Sequence, residues 1–185
     1  MNIYEKKKLE RNMFRKIRDA ISHCQMENVE KNVKIYVESF VKEVKNIDYI
    51  AIYWPLKNEV DIRSLKKKIS LALPRCRDKK ELLFYAWDES TLTKDSEGIP
   101  SPNNSFLLSH EQISMILVPC LSVDKNLIRL GYGGGYFDKL RRDKNWRNVP
   151  CIGVLTSNCV SNIPLTRAEW DIPLSGFITE KEIFV

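Results

Sequence analysis

Near the start of the chain apolar residues return at every fourth position, Leu9, Met13, Ile17 and Ile21, while Lys and Arg fill the places between them. That recurrence, close to the ~3.6-residue turn of a helix, predicts an amphipathic helix over residues 3–22. Val29, Val33, Val37, Phe40, Val41 and Val44 repeat the spacing and predict a second helix. The pattern then changes period. Ile47-Asp48-Tyr49-Ile50-Ala51-Ile52-Tyr53-Trp54 is short, aromatic and β-branched, and Pro55 closes it, which predicts a buried strand with ligand-facing residues after its end. Asp61 to Ser70, with Ile62, Leu65 and Ile69 on one face, reads as a helix leading to a short strand at Leu71-Ala72-Leu73 before Pro74, a βαβ-like unit.

Glu81 to Trp87 reads as a further strand, and the polar stretch from Asp88 to Ser105, with Pro100 and Pro102, as the longest loop. Ile113-Ser114-Met115-Ile116-Leu117-Val118 is an apolar run ending at Pro119, suited to a strand buried on both faces of a parallel sheet, and Cys151-Ile152-Gly153-Val154-Leu155 is similar. These elements imply a three-layer α/β, Rossmann-like fold: a mainly parallel sheet flanked by helices, with ligands at the carboxyl ends of the strands. Residues 1–185 fit one domain.

Composition narrows the function classes. The chain is 43% hydrophobic and 29% charged, ordinary for a globular protein, and no apolar run approaches membrane-spanning length. The Lys-rich start is followed by no apolar signal core, so a cytoplasmic protein is expected. Five cysteines, at 24, 76, 120, 151 and 159, contain no C-x-x-C pair, which argues against a disulfide framework or zinc site and for reduced, mostly buried thiols. His23 and His110 each stand alone in polar surroundings, which disfavours histidine-centred catalysis. A net charge of +6 favours acidic partners, polyanionic small molecules or nucleic acid, although a solvated basic helix face accounts for it as well.

Four of the seven glycines fall within Arg129-Leu130-Gly131-Tyr132-Gly133-Gly134-Gly135-Tyr136-Phe137-Asp138. Such a loop lets successive N–H groups converge on an anion, and Tyr136 to Arg141 reads as a helix whose first turn adds its dipole. A phosphate cradle is expected. The spacing is neither G-x-x-x-x-G-K-[ST] nor G-x-G-x-x-G.

The stretch from Ile116-Leu117-Val118-Pro119 through Asp124 to Asp138 resembles the V-P-x-x-x-x-D and R-L-G-x-G-x-G-Y-Y-D signature of the 5-formyltetrahydrofolate cyclo-ligase family, also called 5,10-methenyltetrahydrofolate synthetases, with Phe137 replacing one tyrosine. Further similarities, in order along nearly the whole chain, are Lys6 ahead of Leu9, Asn58-Glu59-Val60-Asp61, Leu73-Pro74-Arg75, Ile99-Pro100 with Pro102, and Trp170-Asp171-Ile172-Pro173-Leu174. The resemblance implies ATP- and magnesium-dependent conversion of 5-formyltetrahydrofolate to 5,10-methenyltetrahydrofolate, by phosphoryl activation of the formyl oxygen and ring closure.

It also implies roles. Arg129, Tyr136 and Asp138 would be catalytic. ATP would meet Lys6, Arg129, Gly131, Tyr132, Gly133, Gly134, Gly135, Tyr136 and Phe137. The folate would meet Trp54, Glu59 and Tyr136, with Tyr53 adding flat surface, and magnesium would meet Asp138 and Asp171. The expected partners are 5-formyltetrahydrofolate and ATP, with no nucleic acid or membrane, and a monomer is expected. Three positions depart from the family pattern: Glu10 where an Arg is usual, Ser101 where an acidic residue is frequent, and Ser175 in place of a final Asp. Glu10 and Ser175 motivate an alternative, a divergent member that binds nucleotide or folate without efficient turnover. Arg11 is the natural substitute for the charge missing at Glu10.

Overall fold

The computed structural model describes residues 1–44, 47–88, 91–103 and 105–185. Two helices lead the chain, α1 (Ile3–Asp19) and α2 (His23–Glu43). Asn2 caps α1 reciprocally with Glu5, and Ser22 caps α2 with Gln25. The reach of α1 is therefore shorter than the apolar spacing predicts, because Ser22 is already committed to starting the next helix.

An eight-stranded sheet forms the centre, in the order Ile183–Phe184, Gly176–Ile178, Cys151–Val154, Ile113–Pro119, Tyr49–Ala51, Leu71–Arg77, Glu81–Ala86, Leu107–Leu108. The strands from Gly176–Ile178 to Leu71–Arg77 run parallel, and antiparallel strands finish both edges. Side chains alternate across it. Ile50, Ile52, Leu71, Leu73, Met115, Leu117, Ile152 and Val154 pack with Val29, Val33 and Val37 of α2. Ala51, Ala72, Ile116, Val118 and Cys151 belong to the opposite core, with Leu140 of α3 (Tyr136–Leu140), Val149, and Trp146 of α4 (Lys144–Asn148). The three α2 valines are essentially inaccessible, and at roughly 1.5–3 kcal/mol for each large apolar side chain buried they account for the docking of α2. The expected three-layer arrangement is what the chain adopts.

Helix α1 departs from its predicted face. Leu9 and Met13 are 57% and 47% exposed, whereas Phe14 is buried against Leu121, Ile128, Leu130 and Leu165. Lys7, Arg11 and Arg18 lie on the inward side of the helix. The physical reason is what lies beneath: α1 covers the glycine loop and the small sheet of Ser122–Asp124, Arg129–Leu130 and Val160–Ser161, which offers polar partners beside one apolar patch.

Other elements differ in extent. The strand predicted from Ile47 is confined to Tyr49–Ala51, and the helix predicted over Asp61–Ser70 is a 3-10 helix at Arg63–Lys67 with Leu65 buried. The strand predicted to stop before Pro74 runs from Leu71 to Arg77. Proline is tolerated there because parallel pairing with Tyr49–Ala51 has ended by Ala72, leaving Pro74 paired only with Phe84. The long loop contains a hairpin, Leu92–Lys94 with Pro100–Pro102. Asp95 organises its turn by accepting from the N–H groups of Glu97, Ile99 and Cys76.

Candidate active site

A cavity of about 280 Å³ opens at the carboxyl ends of the Tyr49–Ala51 and Ile113–Pro119 strands. The glycine loop forms one wall, α1 another, Trp54 to Glu59 a third, and the tip of the hairpin, through Glu97 and Ile99, a fourth. A second cavity of about 340 Å³ shares Lys7, Arg11, Gly133, Gly135, Asp138 and Asp171 with it and extends to Lys80, Arg142 and Trp170.

Loop geometry accounts for the glycines. Gly133 has φ +108° and Gly135, the N-cap of α3, has φ +77°, values that a side chain strongly disfavours. The expected helix after the loop is only five residues long, so its dipole is small and the loop relies on side-chain cations for positive potential. Arg129 supplies one. Its guanidinium is 9% exposed, donates from Nη2 to Asp138 Oδ1 at 2.7 Å, and lies 5.4 Å from the Phe137 ring centre. Burial opposes the charge on Arg129, and Asp138 first, with Cys120 and Cys151, more than restores it. For Asp138, burial pushes the carboxyl upward, but Arg129, then Lys7 and Arg11, hold it below the ordinary aspartate value. An ionised Asp138 thus sits among cations.

Those further cations come from α1, one position later than expected. Lys6 is exposed and lies off the cavity, whereas Lys7 lines it and pairs with Asp171. Four residues on, Arg11 donates from Nε to the Gly131 carbonyl at 3.0 Å. Glu10, where the family pattern has an Arg, points away from the loop: its carboxylate accepts from the Thr166 N–H and hydroxyl at 2.9 and 2.7 Å. Lys7 and Arg11 share a face because residues four apart on a helix do. Arg11 thus reaches the loop from the same face as Lys7 and supplies a positive charge there.

Asp171 arrives from far along the chain. Arg141 donates to the carbonyls of Ile172 and Pro173 and pins that segment, and Asp171 Oδ2 accepts from the Ala168 N–H at 2.7 Å as well as from Lys7. Expected beside Asp138 as a metal carboxylate, Asp171 is buried and engaged with these two donors. Among the described residues no group of three or more His, Cys, Asp or Glu converges as a metal cluster.

At the other end, Glu59 Oε2 accepts from the Leu56 N–H at 2.7 Å. Burial raises its carboxyl above the ordinary glutamate value, opposed by that N–H, by Tyr132 and by Arg18. Trp54 is half-buried at the wall with Arg63 over it at 4.4 Å, and Tyr53, largely buried, also lines the cavity, its hydroxyl donating to Val60 O at 2.7 Å. Tyr136 donates to Glu97 and so ties the hairpin to the glycine loop, and this bond pushes its hydroxyl up to about 12. Cys76 lines the cavity, but burial raises its thiol to about 12, so it is no nucleophile. Asp124 of the family-like motif is structural, its oxygens accepting from the N–H groups of Asn126, Ile128 and Leu165.

Thus Trp54, Glu59, Arg129, the loop from Gly131 to Phe137, Asp138 and Asp171 share one cavity, and Lys6 does not. Lys7, Glu97 and Ile99 are lining residues the sequence reading missed. The four-residue spacing of Lys7 and Arg11 was the available signal for the first; the family-like Ile99-Pro100 marks the hairpin without showing that its tip reaches the cavity.

Residues 3–180 match the family model described as the 5-formyltetrahydrofolate cyclo-ligase family. The chain is 28% identical to the 5-formyltetrahydrofolate cyclo-ligase of Haemophilus influenzae, over 94% of this chain and 97% of that protein. Its fold is similar to the NMR structure of 5,10-methenyltetrahydrofolate synthetase from Aquifex aeolicus, with TM-score 0.76, 27% identity, and coverage of 96% of this chain and 91% of that one. A synthetase from Mycoplasma pneumoniae shares the fold at TM-score 0.73 and 23% identity, over 94% of this chain and 98% of that one.

Proposed function

The chain belongs to the 5-formyltetrahydrofolate cyclo-ligase family, and on that premise we propose that it uses ATP to convert 5-formyltetrahydrofolate to 5,10-methenyltetrahydrofolate, releasing ADP and phosphate. The observation that carries this reading is the polarity of the cavity: a cationic end at Lys7, Arg11 and Arg129 and an acceptor end at Glu59 beside Trp54, both within reach of one ligand pair.

An amide-like formyl carbon is a poor electrophile. Attack by its oxygen on the terminal phosphorus of ATP expels ADP and converts that oxygen into a leaving group. The amine at the ten position then adds to the formyl carbon and gives its proton to solvent, and phosphate departs as the ring closes. Arg129, Lys7 and Arg11 bind and orient the phosphates, and the loop N–H groups contribute donors that cannot be consumed as bases. Tyr136, held by Glu97, lines the junction between the two ends. Glu59 accepts from the donor edge of the pterin, and Trp54 provides a flat apolar wall.

Magnesium takes one or two carboxylates together with phosphate oxygens and water, and an ionised Asp138 shared by both cavities fits that demand. Asp138 would hold the ion, and Asp171, its Oδ2 already engaged by Lys7 and the Ala168 N–H, would join it through Oδ1. When bound, it would neutralise charge on the transferring phosphoryl group. We read residues 1–185 as one domain acting as a monomer, a reading supported by the walls of the cavity all coming from one chain. No helix among the described residues is long and apolar enough to cross a membrane, and a cytoplasmic enzyme of small polyanions is the reading we adopt.

The three departures from the family pattern lie off the cavity. Glu10 holds Thr166, Ser101 is buried with its hydroxyl donating to Thr93 O, and Ser175 accepts from the Cys151 N–H at 3.0 Å. The test is to mix pure protein with 5-formyltetrahydrofolate, ATP and magnesium and follow absorbance of the methenyl product. Product is expected only with nucleotide and divalent cation together, and equal turnover without nucleotide would sink the mechanism.

A further inference from the structure

Beside the main cavity, sharing Glu59, Pro119 and Tyr132 with it, lies a small chamber of about 20 Å³. Three buried polar atoms in its wall make no well-aligned hydrogen bond among the described residues, Arg18 Nε, Glu59 Oε1 and Thr156 Oγ1, with the Tyr132 hydroxyl near the Glu59 carboxylate and the Cys159 thiol near Thr156 as their longer-range neighbours. One water needs about 10–15 Å³ and two to four polar partners. The three groups complement a water: Nε–H only donates, the carboxylate oxygen only accepts, and the hydroxyl does either. Arg18 also donates from Nη1 to the Tyr132 hydroxyl, with its guanidinium 4.8 Å from the centre of that ring. Glu59 and Tyr132 line both the chamber and the main cavity.

We propose that Arg18 is a positioning residue for the folate: through one internal water shared with Glu59 and Thr156, and through its direct bond to Tyr132, it fixes the carboxylate and the ring that border the substrate. The inference rests on the assignment of Glu59 to the folate. The groups facing Glu59 are Arg18 from α1, Tyr132 from the glycine loop, Tyr53 beyond the Tyr49–Ala51 strand and Cys120 beyond Ile113–Pro119. Arg18 is the cation in that set. Burial favours protonation of Glu59 and Arg18 resists it, so removing Arg18 moves the acid loss of folate binding to higher pH.

The experiment is steady-state kinetics of Arg18→Met across pH, with Arg18→Lys and Thr156→Val beside it. Arg18→Met is expected to raise KM for 5-formyltetrahydrofolate about fivefold or more, leave KM for ATP within about twofold, and shift the acid limb of kcat/KM for the folate upward. Arg18→Lys, which keeps the charge and loses the Nε–H, should return the acid limb to its original place. A high-resolution crystal structure should show a water bonded to Arg18 Nε, Glu59 Oε1 and Thr156 Oγ1. A dry chamber, an unmoved acid limb with unchanged folate KM, or equal losses toward ATP and folate would each overturn the proposal. Should Arg18→Met not fold, Thr156→Val carries the test: a raised folate KM with unchanged ATP KM supports the water bridge, and unchanged kinetics refute it. Glu59→Gln separates the two levels. If it leaves folate KM alone, the assignment of Glu59 fails; if it raises folate KM while Arg18→Met does not, only the role of Arg18 fails.

Discussion

At Asp138 burial and neighbouring charge act against each other, and charge wins because Arg129, Lys7 and Arg11 all lie close by. Asp138→Asn keeps the volume and an acceptor for Arg129 while removing the charge. It should lower kcat/KM by about 10²–10³-fold while costing about 1–2 kcal/mol of stability, measured by kinetics and urea denaturation. The sign of the pH effect follows from the depressed carboxyl. Its contribution to stability is fully present above the ordinary aspartate value of 3.8 and is lost as pH falls through the lower, folded value. Acid unfolding of Asp138→Asn should therefore lack that component. Glu59 has the opposite sign: its folded value lies above the ordinary 4.5, so its buried charge costs stability at neutral pH and the cost disappears as pH falls through the folded value. Glu59→Gln should raise the melting temperature at neutral pH, by roughly 1 kcal/mol of stability, while weakening folate and leaving ATP binding nearly intact. Calorimetry with both ligands checks the pair of effects, and a larger loss toward ATP would contradict the assignment.

At the scale of the element, α1 presents its charged side inward. Lys7, Arg11 and Arg18 meet the glycine loop and Asp171, Glu10 is engaged by Thr166, and Leu9 and Met13 face outward. Arg11→Ala should raise KM for ATP about tenfold, equivalent to about 1.4 kcal/mol. Lys6→Ala should leave it unchanged, because that side chain is exposed. Glu10→Ala should cost about 1–2 kcal/mol of stability by releasing the Thr166 N–H and hydroxyl, with little change in KM. Initial rates over a range of ATP concentrations and urea titrations distinguish the three. The apolar spacing of α1 misled because periodicity reports that a helix has two faces, whereas the substrate of its packing decides which one turns inward. Here that substrate is a polar loop with a single apolar patch for Phe14.

In the molecule as a whole, residues from both ends of the chain meet in one cavity, Lys7 and Asp171 in direct contact. Ligands that bridge these walls should stabilise the entire fold. At about 100 times Kd, a ligand is expected to add about 2.7 kcal/mol, worth roughly 5–10 °C in melting temperature for a chain of this size. Thermal scans with ATP and magnesium, and separately with folate, should show that rise. Much of this architecture was legible locally. The continuous apolar runs at Ile113–Val118 and Cys151–Leu155 marked strands buried on both faces, the valine spacing marked α2, and the concentration of glycines with Arg129 and Asp138 marked the loop, because each is a short-range consequence of period, branching or backbone freedom. The sequence alone determined the fold class, the place of the loop and the family resemblance. Tertiary structure decided which face of α1 turns inward, that Lys7 rather than Lys6 enters the cavity, that Glu97 and Ile99 close it from a hairpin, and that Arg18, Glu59 and Thr156 share a chamber. Those are contacts between residues distant along the chain, and their energy depends on burial and partner geometry that exist only once the strands have fixed where each segment ends.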